Sequence, residues 1–182
     1  MTESAQSRRG IGTIRQATEA DATLLSQLAT RLFEQTFGPM NDPADMRAYV
    51  AHAFSIEAER EALSDTDRVV WIAEDERHTA LGYATLRRGS TADGVVATRP
   101  AEVQRIYVDQ ALHGQGVGNT LMRTCVDHAK LWRCDVIWLG VWERNPRAIA
   151  FYEKSGFRVV GRQSFRLGSD LQQDLVMACP LD

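Results

Sequence analysis

The spacing of apolar and polar residues changes several times along the chain, and each change marks an element. Gly12–Ala17 has the look of a short strand. Thr18 can then cap a helix whose apolar face runs through Leu25, Leu28 and Leu32 at helical spacing. The turn F-G-P-M-N-D-P ends that helix. Asp42, a good N-cap, precedes Pro43 at a first helical position, so a second helix is expected to about residue 53. Ser55 opens a third, short one. Val69–Ala73 and Leu81–Leu86 are runs of strand length joined by the polar stretch D-E-R-H-T, a pattern that predicts an antiparallel hairpin. Residues 89–100 form a loop, and Val103–Val108 is a further strand.

After a glycine-rich turn, Val117, Leu121, Cys125 and Ala129 share one face of a helix. Val136–Val141 is an apolar run of strand length. Pro146 begins another helix, which Gly156 stops. Arg158–Leu167 and Leu171–Ala178 close the chain as a hairpin around G-S-D. Strands alternate with helices in one half and pair as hairpins in the other. That order predicts an α/β or α+β fold with a mixed sheet and helices on both faces. Residues 1–10 are polar and aperiodic and are expected to be a flexible tail, leaving one domain over residues 11–182.

Composition narrows the function classes. The 182 residues suit one domain with a proper core, and 44% apolar with 25% charged residues is an ordinary globular balance. A net charge of −3 and no polybasic run argue against nucleic acid. No apolar run approaches membrane-spanning length and no signal-peptide core opens the chain, so a cytoplasmic protein is expected. Three cysteines without C-x-x-C spacing fit a reducing setting. The four histidines make no metal-ligand pattern, and no metal is expected. Negative charge gathers in residues 1–70, where eleven acidic residues face seven basic ones. Such an excess can steer a cationic substrate or simply serve solubility.

Two segments carry chemistry. His113-Gly114-Gln115-Gly116-Val117-Gly118 lies between a strand and a helix. Its glycines let backbone N–H groups converge beside the positive end of the helix dipole, which suits a pyrophosphate. A dinucleotide turn would need its third glycine one residue later, and a P-loop would need Gly-Lys-Ser/Thr. About 25 residues on, Asn145 precedes a helix that carries Tyr152 near its middle. Singly, Asn145 reads equally as an N-cap and Tyr152 as a buried aromatic.

Together, in this order and at this separation, the segments resemble the GNAT (Gcn5-related N-acetyltransferase) superfamily. Gly116 and Gly118 match its Arg/Gln-x-x-Gly-x-Gly/Ala loop, with His113 in place of the usual Arg or Gln. Asn145, Ala148, Phe151, Tyr152, Gly156 and Phe157 match its N-x-x-A-x-x-F-Y-x-x-x-G-F stretch. The resemblance runs from Ile14 to Met177 and implies a mostly antiparallel GNAT-like sheet with acetyl-CoA as cosubstrate. Backbone groups of Ile106, Tyr107 and Val108 would pair with the pantetheine arm, with an N–H there, that of Val108, polarising the thioester carbonyl. His113, Gly114, Gln115, Gly116, Val117, Gly118 and Asn119 would hold the pyrophosphate. Asn145 would bind a pantetheine amide, and Tyr152 would protonate the departing sulfur. With no cysteine nucleophile in either segment, a ternary complex and direct attack are expected.

An attacking amine must lose a proton, and Glu102 is the first candidate base, with Glu34 and Glu143 in reserve. Glu34–Ser55 and Phe165–Met177 resemble PaiA-like spermidine/spermine N-acetyltransferases, which makes Glu34, Asp42 and Asp45 candidates for binding a polyamine. Other small amines, peptide N-termini, and a non-catalytic acyl-CoA sensor are the alternatives. An NAD-dependent enzyme is a further rival. A homodimer is compatible with the chain, although no segment demands one.

Overall fold

The structure, a computed structural model, describes residues 11–181; the tail expected at residues 1–10 lies outside them. Seven strands form one sheet: β1 (Thr13–Gln16), β2 (Arg68–Glu74), β3 (Ala80–Arg88), β4 (Pro100–Val108), β5 (Val136–Trp142), β6 (Arg158–Leu167) and β7 (Asp170–Pro180). Their order is β1-β2-β3-β4-β5-β7-β6. Five helices accompany them: α1 (Ala22–Phe37), α2 (Pro43–Ala53), α3 (Ile56–Ser64), α4 (Val117–Leu131) and α5 (Pro146–Lys154).

The sheet is covered on both sides, as β2 illustrates. Val69, Trp71 and Ala73 pack in one cluster with Leu121 and Cys125 of α4. Val70 and Ile72, between them in sequence, pack with Leu25, Leu28 and Leu32 of α1. An apolar run without polar alternation therefore marks a strand buried on both faces.

Two boundaries differ from the sequence pattern. Thr18 leads into a short 3-10 turn, Glu19–Asp21, and α1 starts only at Ala22. Asp21 accepts the Thr18 N–H at 2.8 Å and is fastened to Arg15 at 2.8 Å, which holds that turn apart from the helix proper. Strand β4 begins at Pro100, three residues before the apolar pattern shows it. A proline is tolerated at a first strand position, and after it Ala101, Glu102 and Val103 already alternate between buried and half-buried.

Every neighbouring pair is antiparallel except β4 and β5, which are parallel for only three rungs: Pro100 to Val136, Ala101 to Ile137 and Glu102 to Trp138. Beyond them the strands part. Just past that point β4 bulges against β3. Leu86 pairs with Val103 and Thr85 with Arg105, which leaves Gln104 as the extra residue. Arg105 is anchored on the α1 side. It donates to Glu59 of α3 at 2.7 Å and to the Ala53 carbonyl at 2.9 Å, with its guanidinium 4.7 Å from the Phe54 ring centre.

Glu59 is only 1% exposed. A buried charge that loses its partner is costly to keep. Glu59→Ala should lower stability by about 3 kcal/mol in chemical denaturation, because it strands the Arg105 guanidinium. A loss well under 1 kcal/mol would show that the pair does not anchor the bulge.

Candidate active site

Beyond β4, the Asp109 side chain accepts the Ala111 N–H at 3.1 Å and starts a tight turn over Gln110–Leu112. The chain then reaches α4 through Gly114 (φ 81°) and Gly116 (φ 88°), both in the left-handed region that favours glycine. Gly116 is the N-cap residue, and no side chain caps the helix. The N–H groups of the first turn of α4 therefore face the loop mouth, together with the positive end of the helix dipole.

His113 adds no cation to this loop. Its Nε2 lies 3.0 Å from the Val108 carbonyl, so the nitrogen bears the proton and donates, while the buried Nδ1 has no partner. Burial lowers the pKa of the ring and keeps it neutral. The imidazole thus pins the loop to the end of β4.

A cavity of about 560 Å³ follows the opening between β4 and β5. It brings together Ile106, Tyr107 and Val108 of β4 with His113, Gly114, Gly116, Gly118 and Asn119 of the loop. Asn145 and Tyr152 of the second segment line it too, as does Glu102. Gln115 is exposed beside the loop and Val117 is buried in the core, so neither side chain faces the cavity. Asn145 caps α5 by accepting the Ala148 N–H at 3.1 Å through Oδ1. Its side-chain NH₂ remains for another partner.

The two faces of the sheet carry different groups at this opening. Ile137, Leu139 and Val141 belong to the α4-side cluster, and so does Tyr152. Trp138, Gly140 and Trp142 point the other way, where Phe37 of α1 meets Trp142 at 5.9 Å between ring centres. Glu102 pairs with Trp138 and Asp174 with Trp142, which puts both carboxylates on this α1 side. The Gln104 amide donates to Glu102 at 3.2 Å. A Cβ on Gly140 would lie 2.7 Å from Gln163 Nε2 and 3.3 Å from Asp174 Oδ2, so the missing side chain lets both lie across β5.

Asp174 escaped the reading of the sequence. Its signal was parity: it shares a face with buried Val176 and Ala178, an unusual place for a lone carboxylate. Burial, and after it the charge of Glu143, pushes its carboxyl up to about 6.

The acids expected on the acceptor side, Glu34, Asp42 and Asp45, lie outside the lining of this cavity. Glu34 is exposed on α1. Asp42 accepts the Ala44 N–H at 2.7 Å as the cap of α2. Asp45 accepts the N–H and hydroxyl of Ser169 at 2.7 and 3.0 Å, tying α2 to the β6–β7 turn. Glu143, a reserve base with Glu34, is exposed and paired with Arg162 at 3.0 Å. Helix starts and tight turns leave N–H groups that need acceptors, and these two aspartates supply them.

The model of the acetyltransferase (GNAT) family matches residues 25–157. An uncharacterised N-acetyltransferase of Mycobacterium bovis is 32% identical over 157 residues, covering 86% of this chain and 96% of that protein. The spermine/spermidine N(1)-acetyltransferase of Bacillus subtilis is 31% identical over 64 residues, which are 35% of this chain and 42% of that one. Among solved structures, a PaiA N-acetyltransferase from Thermoplasma acidophilum in complex with coenzyme A gives a TM-score of 0.73 at 20% identity. The match covers 92% of this chain and 98% of that one, a likeness of fold.

The raised Asp174 pKa has a consequence for stability. The folded protein holds this proton more tightly than the unfolded chain, so stability falls as pH rises from about 4 through about 6. Asp174→Asn should therefore raise Tm at pH 8, with the gain shrinking toward pH 5. An unchanged Tm at pH 8 would mean that the carboxylate is well solvated.

Proposed function

The chain belongs to the acetyltransferase (GNAT) family and is an acetyl-CoA-dependent N-acetyltransferase; we propose that it works by direct attack of a small primary amine within the cavity between β4 and β5. The observation that carries this reading is the division of the opening, with Tyr152 on one face of the sheet and Glu102 and Asp174 on the other.

The chain offers a fitting place for the donor. Past Glu102 one edge of β4 has no β5 partner, so backbone groups of Ile106 and Val108 can pair with an extended pantetheine arm, while the Tyr107 carbonyl faces β3. The uncapped start of α4 and the loop from His113 to Asn119 suit the pyrophosphate. Asn145 keeps its NH₂ for a pantetheine carbonyl. When bound, acetyl-CoA supplies the activated thioester.

The remaining chemistry falls to side chains and one backbone donor. Alkylamines titrate near pH ~10, so the acceptor arrives as an ammonium. In this reading Glu102, held by Gln104, orients it, and Asp174 takes its proton; a carboxyl near 6 is better matched to that task than one at its ordinary value. The neutral nitrogen attacks the acetyl carbonyl, whose developing negative charge the Val108 N–H stabilises, an effect worth roughly 3–4 kcal/mol in comparable sites. As the C–N bond forms and the C–S bond breaks, Tyr152 gives its proton to the sulfur. Burial raises the Tyr152 pKa, which keeps that proton in place until it is needed. Direct transfer is further supported by the cysteines. None lines the cavity among the described residues, and burial pushes the Cys125 thiol up to about 12.

The similarity to the Bacillus subtilis spermine/spermidine enzyme covers 35% of this chain, so spermidine and spermine enter the first panel of amines as one class among several. The assay is release of CoA thiol from acetyl-CoA by the purified protein. Tyr152→Phe should lower kcat by roughly 10²-fold with little change in KM for acetyl-CoA. Asp174→Asn should lower kcat/KM for the amine by a similar factor and flatten the acid limb that falls off near pH 6. Full activity in both variants would overturn these assignments.

A further inference from the structure

Building on the transfer reading, we propose that the acceptor is a singly charged primary amine with an apolar, ring-bearing body rather than a polycation. Among the described residues only two carboxylates line the cavity, and both sit where β4 and β5 part. Glu102 is on the last paired rung, and Asp174 lies over Gly140, two residues further along β5. In the transfer reading both serve the nitrogen that reacts and are taken up by it. Among the described residues no further carboxylate lines the α1 side for a second ammonium.

Rings dominate the rest of that side, with the uncharged Gln163 and Gln172 beside them. Phe37 stands 5.9 Å from Trp142 and 6.2 Å from Tyr107 between centres, and Tyr49 stands 5.4 Å from Phe165. Phe37, Tyr49, Tyr107 and Phe165 are only partly buried, so they keep surface to offer a ligand. Among the described residues the one cation on this wall is Arg105, and Glu59 balances it at 2.7 Å. That wall therefore contributes no net negative charge.

A second ammonium would shed water there and meet a guanidinium without gaining a carboxylate, which is unfavourable. An aromatic or branched apolar body would instead bury surface against four rings and gain their edge or face contacts. The acidic residues that would have suited a polycation, Glu34, Asp42 and Asp45, lie outside the cavity.

The experiment compares 2-phenylethylamine, tryptamine, butylamine, putrescine and spermidine as acceptors for the full chain with acetyl-CoA, read by CoA-thiol release. 2-Phenylethylamine and tryptamine should exceed butylamine in kcat/KM by roughly tenfold or more, through KM, and exceed putrescine and spermidine as well. Phe37→Leu, a mild change in a half-buried ring, should raise KM for the ring amines severalfold and for butylamine by clearly less. Faster acetylation of spermidine or putrescine, or an equal effect of Phe37→Leu on every amine, would overturn the proposal while leaving N-acetyl transfer intact. Calorimetric titration of 2-phenylethylamine into the CoA-bound protein reads the cavity without turnover. Binding there with no thiol release from any amine would sink the direct-transfer reading and sustain the ring-lined site; no binding would remove the site.

Discussion

The parallel contact between β4 and β5 lasts three rungs, and the functional architecture depends on its ending there. Backbone N–H and C=O groups that leave a ladder need other partners, and here one edge of β4 opens into a cavity instead of a neighbouring strand. The loop into α4 shows the same incompleteness, because its first turn has neither a side-chain cap nor a charged residue at position 113. A sheet that closed fully would be more self-sufficient. It would also have nowhere to hold an extended donor between its strands.

Holding that opening in shape requires anchors on both sides. The bulge at Gln104 is fastened from the α1 side through Arg105, Glu59 and the end of α2. On the other side, Tyr152 packs against Phe151 and Phe157 with ring centres 5.2 and 6.0 Å away. These contacts keep the Tyr152 ring on one face of the sheet and the Glu102 and Asp174 carboxylates on the other. They also concentrate electrostatic cost where the chemistry occurs. Asp174 is kept in a desolvated wall although its charged form is disfavoured there, a pattern expected of a group retained for reactivity.

The hydrophobic periods along the chain were enough to outline five helices and seven strands, because helix and strand faces repeat locally at fixed spacing. Errors fell where a tertiary partner replaced a local rule. Thr18 was expected to start a helix, but the Arg15–Asp21 pair holds a separate turn there. Pro100 hid the beginning of β4, because a proline marks a loop more often than the first residue of a strand. The bulge, the short parallel pairing and the buried Glu59–Arg105 pair join residues 17 to 46 positions apart, and no local period records them.

By itself, the sequence determined what depends on neighbours along the chain: the glycine loop, the Asn145–Tyr152 helix, the caps and turns, and through these the family and its donor. It could not say which acids face the acceptor. Asp42, before a proline, and Asp45, in the first turn of α2, were legible as caps and surface charges, and the hydrogen bonds they make absorb them in that role. Asp174 became a candidate only when the pairing of β5 with β7 brought it across from Trp142 and beside Gly140. The physical reason is that a carboxylate's role is set by its dielectric surroundings and by the charges around it. Both are properties of the packed molecule, decided by strand register and by which helix covers which face.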